Sequence, residues 1–207
     1  GIFSCQILLF FSSIYGKETY EFPVILTANT LTPLMERELR GCFDFFWNEW
    51  NDNPSSPTYG MTNGDYVGLK KYSPLAIENQ GFYFTAIIIG VERGWITREE
   101  GEKRILITLK TLRSLKRIKG FWYHFIDQET GKRGWKDSNN IELSNASSGT
   151  MLLGALAASE YFGGEIKKIT VQLYAEMNWK WFTNPVTKHP YLACYPEDLP
   201  DRLPAGI

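Results

Sequence analysis

The sequence has 207 residues and a formal net charge of −1, from 22 basic and 23 acidic side chains. A chain of this length is expected to form one domain with a substantial core, and its balanced charge gives no reason to expect nucleic acid or an anionic membrane as a partner. Three cysteines and two histidines, without a CxxC or HExxH pattern, argue against a disulfide framework, a metal site or any other cofactor.

The first 16 residues are mostly apolar and end in small and polar side chains, as in the hydrophobic region and cleavage zone of a signal peptide. The apolar run is too short for a stable membrane span. A starting Met and a charged leading region are absent. Two interpretations stay open: a truncated signal peptide, which we favour, or a buried strand. The remaining residues, 17–207, are assigned to the folded domain.

Five helices are predicted from apolar spacing and from their end signals. Thr32 as N-cap and Pro33 as first helical residue begin helix one, and Thr97 with Glu100 forms a capping box for helix three. The predicted helices cover residues 33–51, 79–94, a segment starting at 97, 150–162 and 165–181. Helices two and four are apolar nearly all round, whereas helices three and five are amphipathic. Such alternation is expected of concentric helix layers, and five helices amount to about half of a closed barrel.

Residues 121–135 are predicted to form a small β-hairpin between helices three and four. The segment 121–126 is rich in aromatic residues, and Gly131 can take the positive φ that the turn at 127–131 requires. Strand alternation would place Trp122 and His124 on one face. Together with Trp135, that face is a candidate surface for stacking on a sugar. The alternative is that His124 is a structural histidine with satisfied hydrogen bonds.

Several segments of the chain, in order, resemble one known family. They read CFDFFWNEWNDNP, YGMTNGD, IIIGVERGWITREEGEKR, GFWYHFIDQETGKRGW, IELS and GALAASEYFGG. These segments are similar to the glucoamylase-like proteins related to family 144 of the glycoside hydrolases, the endo-β-1,2-glucanases. The resemblance covers roughly residues 35–196. It implies an all-α fold of the (α/α)6-barrel type, of which this chain would be the N-terminal half, a secreted or periplasmic bacterial location, and a glucan as partner.

Glu142 is the leading candidate for a catalytic residue. Hydrolysis of a glycoside needs two carboxyl groups, and Glu142 lies in a polar loop before a buried helix, where partial burial would favour a proton-carrying acid. The resemblance also places it on the family's Glu-x-Ser motif. Asp65 and Asp137 are loop carboxylates that are candidates for binding sugar hydroxyls, or else simple turn residues.

One departure from the family pattern bears on catalysis. The resemblance places an acidic residue at position 147, where this chain has Ser147. Three functions therefore stay open: an inverting hydrolase of β-linked glucan, with β-1,2-glucan favoured; a non-catalytic glucan-binding protein on the same scaffold; and a helical partner-binding protein with no sugar site. The last of these predicts that Trp122 and Trp135 are buried.

Overall fold

The structure is a computed structural model that describes residues 31–64, 74–134 and 140–195. The predicted signal segment, 1–16, and the candidate site residues Asp65, Trp135 and Asp137 lie outside these ranges. The chain divides into two compact units, residues 1–40 and 41–207. In the first, residues 31–40 are described and contain a helix start, where the backbone N–H of Met35 donates to Oγ1 of Thr32 over 3.3 Å.

The described ranges contain five α-helices and four strands of two residues each. The helices are α1 (Pro33–Asn48), α2 (Ile77–Glu92), α3 (Arg98–Ser114), α4 (Asn145–Phe162) and α5 (Gly164–Glu176). The strands are β1 (Leu75–Ala76), β2 (Phe125–Ile126), β3 (Leu143–Ser144) and β4 (Ala193–Cys194). Strand β1 pairs antiparallel with β2, and β3 pairs antiparallel with β4. None of these helices is long and apolar enough to cross a membrane.

In the described ranges the helix predictions are confirmed in number and order, and several ends are corrected, two of them by five residues. Helix α4 begins at Asn145 rather than at 150, because the hydroxyl of Ser144 accepts a hydrogen bond from the N–H of Ser147 and caps the helix there. Helix α5 ends at Glu176 rather than at 181, because Met177 is extended and the N–H of Asn178 donates to the carbonyl of Lys119 instead of continuing the helix.

The capping box that the sequence predicted is present in the structure, and α4 ends at a glycine. The Thr97 side chain accepts from the N–H of Glu100 over 3.2 Å, and the Glu100 carboxylate accepts from the N–H of Thr97 over 2.8 Å. This reciprocal pair is the predicted capping box. At the end of α4, Gly163 has a φ of 74°, a left-handed conformation that favours glycine.

The helices form two layers, with α2 packed chiefly on α4 and α3 packed on α5. The first pair is unusually close because glycines face each other. A Cβ atom on Gly154 would lie 2.1 Å from the carbonyl oxygen of Gly81, and one on Gly81 would lie 2.3 Å from the carbonyl oxygen of Thr150. Only glycine at these positions lets the two backbones touch. This contact also sets the N-terminal turns of α2 and α4 beside each other.

Candidate active site

An extended segment, residues 122–126, runs between the starts of α2 and α4 and joins them by backbone hydrogen bonds. The carbonyl of His124 accepts from the N–H of Ile77 over 3.1 Å, and the N–H of His124 donates to the carbonyl of Glu142 over 2.9 Å. On either side, β2 pairs with β1, and Tyr123 pairs with Leu143. The segment therefore places His124 between the first turn of α2 and the residues just before α4.

The side chain of His124 bridges two carboxylates. Its Nδ1 atom lies 2.7 Å from Oε1 of Glu142, and its Nε2 atom lies 2.9 Å from Oε1 of Glu78. The side chains of His124, Glu78 and Glu142 are 26%, 27% and 24% exposed. We call these three residues the carboxylate–histidine cluster. It is shielded enough for its electrostatic interactions to be strong, and open enough for a ligand to reach it.

The contacts within this cluster stabilise the charged forms of His124 and Glu78. The hydrogen bond that the imidazole donates to Glu78 raises the pKa of His124 above its ordinary value. Burial opposes this rise, and the bond to Glu142 adds to it. For Glu78, burial raises the pKa, but the hydrogen bond that His124 donates, together with the nearby backbone N–H and Ser147 hydroxyl, outweighs burial and lowers the pKa overall. The two carboxylates therefore stabilise the positively charged form of His124.

Glu78 is held firmly on α2. It lies in the first turn of that helix, where a negative charge is stabilised by the helix dipole. Its Oε2 atom is buried, and no described residue gives it a hydrogen bond. Ser147 is only 5% exposed, and its hydroxyl is among the groups that lower the pKa of Glu78. The position at which the resemblance places an acidic residue is therefore in contact with a carboxylate from the neighbouring helix.

The surroundings of the cluster are rigid. The ring of Phe125 stacks on the imidazole of His124, with the ring centroids 4.0 Å apart. Gln80, fully buried on α2, exchanges hydrogen bonds with the backbone N–H and carbonyl of Thr62 over 2.9 and 3.0 Å. This pair fixes the loop that leads to residue 65 against the same helix. The predicted site residue Asp65 follows directly in the chain, outside the described residues.

The position of Trp122 corrects one prediction. Strand alternation placed Trp122 beside His124 on an open face, but the Trp122 ring has no exposed surface, and its indole N–H donates to the carbonyl of Leu112 over 2.9 Å. Alternation fails because residues on both sides of Trp122 are buried too: Phe121 is fully buried and Tyr123 is 3% exposed. Trp122 belongs to the core and does not offer a surface to a sugar in this structure.

The turn of the predicted hairpin is confirmed, whereas its strands are short. The N–H of Asp127 donates to the carbonyl of Lys132 over 2.8 Å, and Gly131 has a φ of 65°. Ile126 pairs with Arg133 across the turn. The predicted roles of Trp135 and Asp137, which follow in the chain, stay predictions because these residues are not among the described ones.

Sequence reasoning missed Glu78. The predicted helix two begins at residue 79 and excludes Glu78, whereas α2 begins at Ile77. A signal was present: an acidic residue close before a strongly apolar helix is typical of a first helical turn. What the sequence did not show was that the first turns of α2 and α4 meet at His124.

The chemistry open to the cluster is proton transfer and hydrogen bonding. Two carboxylates and one imidazole can accept, hold and donate a proton, and they can bind hydroxyl groups. Among residues 31–64, 74–134 and 140–195 there is no group of three or more His, Cys, Asp or Glu side chains arranged to hold a metal ion. In the cluster itself, both nitrogens of His124 face carboxylate oxygens.

The sequence and the fold are similar to those of several known proteins. No family model matches the sequence. An exo β-1,2-glucooligosaccharide sophorohydrolase (non-reducing end) from Parabacteroides distasonis is 33% identical to this chain over 176 residues. The match covers 67% of this chain and 24% of that protein. The chain therefore spans about a quarter of the length of this curated relative.

Solved structures agree with that relationship. A glucoamylase-like protein from Bacteroides uniformis superposes with a TM-score of 0.67 and 26% identity, covering 82% of this chain and 42% of that one. A β-1,2-glucanase from Parabacteroides distasonis superposes with a TM-score of 0.64 and 27% identity, covering 79% of this chain and 24% of that one. The helical layers described above are thus part of an (α/α)6 toroid. The chain belongs with the glucoamylase-like proteins related to family 144 of the glycoside hydrolases.

Proposed function

We propose that this chain carries part of the active site of a hydrolase that cleaves β-1,2-linked glucan. The observation that supports this most directly is the carboxylate–histidine cluster, in which Glu142 is in hydrogen-bonding contact with a part-buried His124 over 2.7 Å. A relative that is 33% identical is a β-1,2-glucooligosaccharide sophorohydrolase, and a structural neighbour is a β-1,2-glucanase. Both of these proteins act on β-1,2-linked glucose units.

In this proposal Glu142 is the catalytic acid. Cleavage of a glycosidic bond requires that the leaving oxygen be protonated while water attacks the anomeric carbon, with a second carboxyl group as base in an inverting enzyme. Glu142 lies just before β3 and the capped start of α4, so its backbone is fixed. Its side chain is 24% exposed, which leaves an approach for a glycosidic oxygen.

The sugar contacts follow from the same geometry. Both ring nitrogens of His124 already face carboxylate oxygens, so we propose that the carboxylates of Glu78 and Glu142, rather than the imidazole, accept hydrogen bonds from sugar hydroxyl groups. Trp135, Asp65 and Asp137 stay proposed contacts for the sugar rings and hydroxyl groups. Trp122, being buried, is removed from that set.

A location outside the cytoplasm is part of the proposal. The apolar segment at residues 1–16 has the composition of a signal peptide. A polymeric glucan is also too large and polar to cross a bilayer unaided. Fractionation of bacterial cells that express the protein with its own leader is expected to recover it from the periplasm or the medium, and recovery from the cytoplasm alone would contradict this.

Ser147 favours one alternative, a non-catalytic glucan-binding protein. A serine hydroxyl does not replace a carboxyl group in proton transfer, so loss of an acid at this position would weaken catalysis. Against this, the Glu78 carboxylate lies beside Ser147, so the site has not lost negative charge there. The burial of Trp122 agrees with the third interpretation, a partner-binding protein, but that interpretation gives no reason for a charged cluster that is open to solvent.

The deciding experiment incubates the full chain with β-1,2-glucan and, in parallel, with β-1,3- and β-1,4-glucan. Released reducing ends and calorimetric binding are measured for each. We expect hydrolysis of β-1,2-glucan and little of the others. Binding of β-1,2-glucan without cleavage would establish the glucan-binding alternative. Neither binding nor cleavage of any of the three would overturn both proposals.

A further inference from the structure

We propose that Glu78, His124 and Glu142 act as one proton-sharing unit, in which Glu78 is a positioning residue that keeps His124 oriented and charged as the proton source for Glu142. The inference rests on the proposed function for the reaction that consumes the proton. The shared proton itself follows from the contacts in the structure. It adds a residue on α2 to a site whose sequence-predicted residues lie on the hairpin segment and in loops.

The two hydrogen bonds of His124 need one donor hydrogen each. An ionised carboxylate only accepts hydrogen bonds, and a neutral imidazole has one N–H donor. The two contacts, 2.9 Å to Glu78 and 2.7 Å to Glu142, therefore need one proton more than a neutral histidine between two carboxylates contains. Because the pKa of Glu78 is lowered, Glu78 keeps its charge. The extra proton is therefore carried either by His124, as an imidazolium ion, or by Glu142, as a carboxylic acid bonded to Nδ1.

These two forms differ only in the position of a proton along the short contact between Nδ1 and Oε1 of Glu142. When the proton moves from Nδ1 to Oε1, the imidazole becomes neutral, and its Nε2–H stays bonded to Glu78. Glu142 then donates the proton to the leaving glycosidic oxygen and becomes a carboxylate. Water that attacks the anomeric carbon releases one proton to solvent, and solvent returns one to His124, so protons and charge balance over the reaction.

Glu78 is positioned to bind Nε2 of His124, the ring nitrogen that does not contact Glu142. It lies in the first turn of α2, and the backbone of that turn is bonded to the carbonyl of His124 through Ile77. Its Oε2 is buried with no partner among the described residues, so Oε1 faces the imidazole while the other oxygen is enclosed. The Phe125 ring stacked on His124 restricts rotation of the imidazole. Orientation and charge of the ring are thus set from α2.

Among residues 74–134 and 140–195, the titratable groups that face His124 are these two carboxyl groups, one from α2 and one from the segment before β3. Both act in the same direction. The hydrogen bond to Glu78 is the larger influence that raises the pKa of His124, and the bond to Glu142 adds to it against the effect of burial. Loss of Glu78 is therefore expected to lower the pKa of His124 even with Glu142 in place.

The test is a nuclear magnetic resonance titration of the full chain labelled in its histidine rings. The sequence has only two histidines, His124 and the exposed His189, so the signals are few and His189 serves as an internal reference. We expect His124 to titrate above the ordinary midpoint of about 6.5. A wild-type midpoint at or below that value would overturn the proposal, and this result needs no variant to fold.

The variant arm compares Glu78→Gln with Glu92→Gln, which makes the same change at the other end of α2. We expect Glu78→Gln to lower the His124 midpoint by about one pH unit, as for loss of a neighbouring opposite charge, and Glu92→Gln to leave it unchanged. An unchanged midpoint in Glu78→Gln would overturn the positioning role.

The same variants separate this inference from the proposed function. On β-1,2-glucan, the alkaline limb of the pH–rate profile in Glu78→Gln is expected to move to lower pH along with the His124 midpoint, which a purely structural role would not cause. Wild type that cleaves no glucan but shows the expected titrations would contradict the proposed function alone. Full cleavage with a His124 midpoint that does not respond to Glu78→Gln would contradict the proton-sharing unit alone.

Discussion

Helices α2 and α4 meet in two different ways along their length. At Gly81 and Gly154 the two backbones touch, and a Cβ atom on Gly154 would come within 2.1 Å of a carbonyl oxygen. Near their N-terminal ends the same helices are joined through His124, by charged side chains that are about one-quarter exposed. The glycine contact has no space for a side chain and no charged group. The contact through His124 has charged side chains that are partly open to solvent.

Substitutions in the two regions should therefore affect different measurements. In the close-packed region a substitution changes volume, so its cost appears in the free energy of unfolding. In the cluster, a change from carboxylate to amide keeps the shape and changes the charge and the proton. We therefore expect the first region to govern stability and the second to govern the rate of glucan hydrolysis.

The largest effect on stability is expected from Trp122→Ala. The ring is fully buried, and the backbone N–H of Trp122 also donates to the hydroxyl of Ser148 on α4 over 3.1 Å. Removal of a buried tryptophan costs about 3–5 kcal/mol, because the cavity that it leaves is only partly filled. Urea unfolding of the full chain measures this. Trp179→Ala, at a ring that is 37% exposed, is the matched control and should cost clearly less.

Loss of glucan binding without loss of stability in Trp122→Ala would contradict the assignment of Trp122 to the core. If Trp122→Ala left the unfolding midpoint unchanged and abolished binding of β-1,2-glucan, then the ring would be a sugar contact, as strand alternation predicted. Our structure-based expectation is that any loss of binding follows the loss of folded protein.

The next effect is expected at the glycine contact itself. Gly154→Ala inserts a methyl group against the backbone of α2, and such overpacking costs about 1–3 kcal/mol. Gly149→Ala, on the same helix, is the control: its Cβ would meet only the ring of Trp179, at 3.7 Å. There the gain in helix propensity should stabilise the protein by about 0.5–1 kcal/mol. Equal effects of the two substitutions on the melting temperature would refute the close contact.

The five helices and their order could be predicted from the sequence, because apolar spacing, caps and glycine breaks are local signals. The capping box at Thr97 and Glu100 and the left-handed Gly163 are examples in which local chemistry alone determined the outcome. The early start of α4 could not be read from apolar spacing. Its first turns are rich in serine, and it is the hydroxyl of Ser144 that caps the helix.

The candidate site could be predicted only in part, because it depends on contacts between distant segments. Glu142 and His124 were found through their local context, and the structure joins them. Glu78 was missed, because its role exists only where two helix starts meet across an extended segment. Trp122 was misplaced, because period-two alternation assumes a regular strand, and here the strand after it has two residues.

The most direct test of the account measures rate and stability together in Glu142→Gln. The control is Glu129→Gln, which makes the same change at an exposed carboxyl in the nearby turn. Cleavage of β-1,2-glucan is followed by released reducing ends, and unfolding is followed in urea. We expect Glu142→Gln to lower the rate by at least about 10²-fold while the free energy of unfolding changes by less than about 1 kcal/mol, and Glu129→Gln to change neither. Full activity in Glu142→Gln, or a loss of activity matched by a loss of stability, would contradict the account.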